Sequence, residues 1–83
     1  MFGNEAYNRD KLRIILTQWV NKAGGIRVGR ITYRYTDGKL TVFAPNPRLL
    51  VGRDEMLLNE YKGRLHREIS GLISVNVLQV EEL

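Results

Sequence analysis

Between Asn8 and Ala23 the apolar residues Leu12, Ile15, Leu16, Trp19 and Val20 recur at steps of three and four, the stripe of an amphipathic helix. Gly24-Gly25 supplies its stop, and Arg9, Lys11 and Arg13 lie off the stripe, partly offset by Asp10. From Ile31 the period changes to two. Two β-rich runs flank Asp37-Gly38, the dipeptide most strongly tied to a two-residue hairpin loop. Such a loop sets Tyr35 opposite Leu40, Tyr33 opposite Val42 and Ile31 opposite Ala44 on one face, and Arg34 opposite Thr41 and Thr32 opposite Phe43 on the other. The first set is the core face. Ile26 and Val28 also alternate, but Gly29 and Arg30 shift the phase, which predicts a bulge or bend at Gly29.

The second half begins with Ala44-Pro45-Asn46-Pro47, where Asn46 can cap a helix and Pro47 can occupy its first turn. That helix runs only to about Val51, because Gly52 interrupts it, and a second helix follows with Asp54 as its expected cap. Leu58, Tyr61, Leu65, Ile69 and Leu72 form the buried stripe of the second helix, and Ser70-Gly71 marks its end. Ile73 to Val80 alternates as a strand, with Leu78 and Val80 breaking the pattern, a mark of either a self-association surface or a frayed end. The element order is αββααβ in one α+β domain of 83 residues, with residues 1–7 expected as a loose lead-in.

Composition narrows the function. No uninterrupted apolar run exceeds three residues, so no membrane-spanning helix is expected, and the N-terminal residues carry no secretory pattern, pointing to a cytoplasmic protein. The chain has no cysteine, so neither disulfides nor thiolate chemistry apply, and no cofactor is expected. Nine of its thirteen basic residues are Arg, the side chain suited to bidentate phosphate contacts and to stacking on bases. Up to Arg53 ten basic residues face three acidic ones, whereas from Asp54 onward three face six. This asymmetry points to a polyanionic partner.

The run from Thr41 to Asp54, T-V-F-A-P-N-P-R-L-L-V-G-R-D, resembles the strand, Pro-containing turn and V-I-G-x-x-G loop of type II KH domains, best known from a small-subunit ribosomal protein. The αββααβ order agrees with that type. The resemblance covers nearly the whole chain, and its specific motif rests on about ten positions. It implies a three-stranded mixed sheet with helices packed on one face, and single-stranded RNA as ligand. Gly52 stands at the first loop glycine and Arg53 at the basic position; Leu49, Leu50 and Val51 hold the apolar positions before the loop, and Arg48 the rim. The physical logic is that a helix ending at a glycine beside the start of another presents N–H groups to phosphate while an apolar floor receives about four unpaired bases. The chain departs from the family in reading G-R-D-E: Asp54 and Glu55 stand where a basic residue and a second glycine belong, close to the phosphate path.

Arg30 and Arg34, with Phe43 on the neighbouring strand, form a second expected RNA contact on the face opposite the core, unless that face is simply solvated. Trp19, Tyr33, Tyr35 and Tyr61 are expected in the core. His66 is a lone imidazole without a metal-ligand or acid–base partner, and Ser70 and Ser74 are the only serines, so no catalytic constellation supports an enzyme. The expected function is single-stranded RNA binding, most naturally to messenger RNA, with oligomerisation or a protein partner supplementing a single weak module. The alternatives are a structured-RNA binder of a ribosome-like particle, and a protein-interaction module whose Asp54, Glu55, Glu81 and Glu82 repel nucleic acid.

Overall fold

The computed structural model describes residues 2–81, and side chains over residues 7–81; Met1, Glu82 and Leu83 lie outside it. Helix α1 spans Phe2–Ala23 and ends before Gly24, as the Gly-Gly pair requires. It starts earlier than the apolar stripe indicates, running through residues expected as a lead-in. A 3-10 turn, Gly25–Val28, follows where the alternation of Ile26 and Val28 predicts extended chain with a bulge or bend at Gly29. The two spacings serve a turn instead: Val28 drops into the core while Ile26 stands 91% exposed. Gly29 then takes φ +89° as the chain turns toward the sheet.

Strands β1 (Thr32–Thr36) and β2 (Lys39–Ala44) form the hairpin, with both turn residues, Asp37 and Gly38, at positive φ, as a two-residue type I′ loop demands. The expected register is the one observed, Tyr35 facing Leu40, Tyr33 facing Val42, Arg34 facing Thr41 and Thr32 facing Phe43. Helices α2 (Pro47–Val51) and α3 (Met56–Glu68) then lead to β3 (Ser74–Gln79). β3 lies parallel to β2, so the mixed sheet has the order β1-β2-β3 with β2 in the centre. The αββααβ order and the α+β class stand as expected.

The core is built by the inward face of the sheet, Leu40, Val42, Ala44 and Val75, against Leu12, Ile15, Leu16 and Trp19 of α1, Leu50 of α2, and Tyr61, Leu65 and Ile69 at α3. These are the periodic positions of each element, which is why the helices collect on one side of the sheet. Tyr35 packs against this cluster from its edge, whereas Tyr33, on the edge strand, remains 39% exposed. The other sheet face is open. Among the described residues no helix is long and apolar enough to cross a membrane.

Candidate nucleic-acid interface

The joint between α2 and α3 is set by backbone geometry at Gly52, Asp54 and Glu55. Gly52 adopts φ +77° and ψ 178°, and its amide donates to the Arg48 carbonyl at 2.9 Å, closing α2. A Cβ at this position would lie 2.8 Å from the Leu57 Cβ, so glycine is required both by its dihedral and by the close approach of α3. Arg53–Glu55 then form a single 3-10 turn in which Asp54 (φ +54°) and Glu55 (φ +59°) are left-handed.

Asp54 is therefore not the cap of the second helix. α3 begins at Met56, Glu55 holds the cap position, and no side-chain capping bond is made. A capping side chain needs an extended backbone to fold back onto the helix amides, and the left-handed conformation of these two residues denies it. Both carboxylates stay exposed beside the exposed Arg53. Asn46 likewise occupies the cap position of α2 without capping it. Its Nδ2 donates instead to the Arg27 carbonyl at 3.0 Å, and its own amide donates to the Val28 carbonyl at 3.2 Å.

α2 is short enough for each residue to have its own assignment. Leu50 is fully buried and faces the core, and its carbonyl accepts a 2.9 Å bond from the Trp19 indole. Val51 is half-buried, and Arg48 and Leu49 face outward, Leu49 at 37% exposure. Of the three apolar residues before the loop, Leu49 is thus the exposed one. Arg48 and Leu49 form one wall of a cleft of about 580 Å³, completed by Arg27 of the 3-10 turn, Pro45, Asn46, Pro47 and Gln79 at the end of β3. Gln79 Nε2 reaches the Pro45 carbonyl at 3.4 Å, and the Val80 amide donates to the Ala44 carbonyl at 3.1 Å, which fixes this end of β3 against the Pro-Asn-Pro turn. On the other side, a Cβ on Gly29 would meet the Pro45 ring at 2.7 Å, so the turn packs directly on the proline.

The second expected contact is only partly assembled. Arg34 of β1 and Phe43 of β2 lie on the open sheet face, Arg34 exposed and Phe43 half-buried, two rungs apart on the ladder with the inward-facing Tyr33–Val42 pair between them. Arg30 is exposed but precedes β1 and is not part of that strand face. Phe43 stands beside Leu78 of β3, in a row Thr32-Phe43-Leu78 that gives the open face an apolar strip. Cation–ring contacts occur at Lys11 over Tyr7 and at Arg64 near Tyr61, away from Phe43.

Ion pairing leaves the candidate cations free. Among the described residues the pairs are Arg13–Asp10, Lys22–Glu60 at 2.8 Å and Arg64–Glu68 at 2.8 Å. Glu60, hydrogen-bonded to Lys22, raises the Lys22 pKa, and the Arg64 hydrogen bond lowers that of Glu68. Arg27, Arg30, Arg34, Arg48 and Arg53 have no carboxylate partner among the described residues. His66 is exposed on α3.

Arg27 and Gln79 were not legible as site residues. A strand reading of Ile26 to Val28 leaves Arg27 as an anonymous outward side chain, and only the 3-10 turn, held by Asn46, brings it beside Arg48. No family model matches the chain, and no curated protein or solved structure gives a significant match to it.

Proposed function

We propose that this chain binds single-stranded RNA through a KH-like groove along the outer side of α2 and the turn that follows it. The observation that carries this reading is the α2–Gly52–α3 joint: a glycine without room for a side chain, an exposed Arg53 after it, and exposed Leu49 and Arg48 before it. Leu49 offers an apolar surface to bases, and the unpaired arginines offer charge to phosphates. Messenger RNA in the cytoplasm is the ligand this implies, because one small module is effective only on a strand with many single-stranded sites. The Arg34–Phe43 face is a secondary contact in this account.

A protein-interaction role is favoured by one specific observation, the two exposed carboxylates of Asp54 and Glu55 at the turn. The two readings part under mutation. In the RNA reading Arg53→Asp removes most single-strand binding, and Glu55→Gly strengthens it by removing a repulsive charge. Parental binding by both variants rejects the groove around Gly52 and moves the candidate site to the Arg34–Phe43 face.

A further inference from the structure

We infer that the cleft at the start of α2 is a second phosphate-gripping point, in which Arg27 and Arg48 hold the backbone of the same RNA strand that engages Arg53. This inference rests on the RNA-binding reading and adds to it a site built largely from residues outside the G-R-D-E turn. Four observations support it. The cleft is concave and of about 580 Å³, large enough for a nucleotide's phosphate and part of its sugar. Its two charged lining residues are both arginines, each without a carboxylate partner among the described residues, and no acidic side chain lines it. Its walls are fixed by main-chain and amide bonds, Asn46 to Arg27 and Val28 on one side and Gln79 to Pro45 on the other, so the arginines project from an ordered frame. The Asp54-Glu55 turn, by contrast, sets two exposed carboxylates beside its single arginine, a poor place to hold a phosphate alone.

The spacing suits one strand. α2 has five residues and so spans about 7 Å, a separation of the Gly52-Arg53 turn from the cleft that neighbouring phosphates of one short strand bridge. Leu49, exposed on the cleft wall next to Arg48, is where a base would rest. Phosphate contacts at both ends of α2 hold such a strand more firmly than one contact opposed by two carboxylates.

The test uses the full chain and a fluorescently labelled single-stranded RNA of about ten nucleotides, followed by anisotropy over a salt series. Arg27→Gln is the decisive variant, because Arg27 is exposed and lies outside the resembled motif. The expected result is about tenfold weaker binding and a salt slope smaller by about 0.7, the value of one lost phosphate contact on a single strand. Arg48→Gln behaves alike, and the double variant loses both contributions. The thermal midpoint stays at the parental value, which separates lost binding from lost structure. Parental affinity and slope in Arg27→Gln, alongside loss in Arg53→Asp, overturn the cleft and leave the RNA reading standing. An equal weakening toward duplex RNA reports diffuse charge and also overturns it. If the parent shows no preference for single-stranded RNA, the RNA reading falls first and the cleft assignment falls with it.

Discussion

The Trp19 indole donates its Nε1–H to the main-chain carbonyl of Leu50 at 2.9 Å, within the core. The last carbonyls of a helix have no partner inside it, and in a helix as short as α2 this leaves most of them to be satisfied from outside. Trp19 supplies one such partner, and the same ring stacks on Tyr61 of α3 with centroids 5.4 Å apart and planes 3° from parallel. One side chain of α1 therefore ties down both helices that flank the Gly52 turn.

Replacing Trp19 with Phe keeps an aromatic ring and leaves the Leu50 carbonyl buried without a donor. An unsatisfied buried acceptor costs about 1–3 kcal/mol, so urea denaturation of Trp19→Phe is expected to show a loss in that range. An unchanged midpoint means that the bond does not hold α2.

Gly52→Ala combines a backbone conformation open essentially to glycine alone (φ +77°, ψ 178°), costing about 1–3 kcal/mol, with crowding of Leu57, against which the stiffer unfolded chain returns about 0.4–1 kcal/mol. The steric terms win. A net loss of about 2 kcal/mol is expected, seen as a thermal midpoint lower by roughly 10 °C in a domain of this size.

Glu55→Gly is expected to fold as stably as the parent. Relief of the left-handed conformation returns about 1–2 kcal/mol, while the freer unfolded chain costs about 0.4–1 kcal/mol and the lost charge at the start of α3 about 0.3–1 kcal/mol. The terms nearly cancel, so stability should stay within about 0.5 kcal/mol. Any gain in RNA affinity by this variant then belongs to the removed charge and not to a firmer fold.

Glu68 has its pKa lowered, chiefly by the Arg64 hydrogen bond, so it binds its proton less readily in the folded chain than in the unfolded one. Its contribution to stability is present above the usual glutamate range and is lost as pH falls through the lowered value. Thermal midpoints of the parent and Glu68→Gln should differ slightly at neutral pH, the parent higher, and converge in acid. Lys22 has the opposite sign: its pKa is raised by Glu60, and its contribution is lost as pH rises through that raised value. Lys22 is exposed and Glu68 only half-buried, so both effects are small and shrink further with salt.

Much of the fold was legible because period, turn and register agreed with one another. Asp37-Gly38 fixed the hairpin, and the apolar set of both strands fell on one face only in that pairing. The segment from Gly25 to Gly29 was misread because a spacing of two is common to a strand and to a short turn, and the deciding contact, Asn46 to Arg27, is 19 residues away in sequence. The cap at Asp54 was misread for a different reason. Residue type favours a cap there, but the approach of Leu57 to Gly52 accompanies a left-handed chain at Asp54 and Glu55, and no local pattern encodes that approach. The candidate site divided along the same line: Arg48, Leu49 and Arg53 were read from a motif, whereas Arg27 and Gln79 join them only through tertiary structure.

Single-strand RNA binding is decided by fluorescence anisotropy of the purified chain against short single-stranded RNA, the matching duplex and single-stranded DNA, each at low and near-physiological salt. The expected result is a preference for single-stranded RNA that persists at the higher salt, because stacking and groove contacts are not screened as phosphate attraction is. Binding that ignores strandedness and vanishes with salt contradicts it, reducing the interaction to the net charge of +4 and leaving the protein-interaction reading in its place.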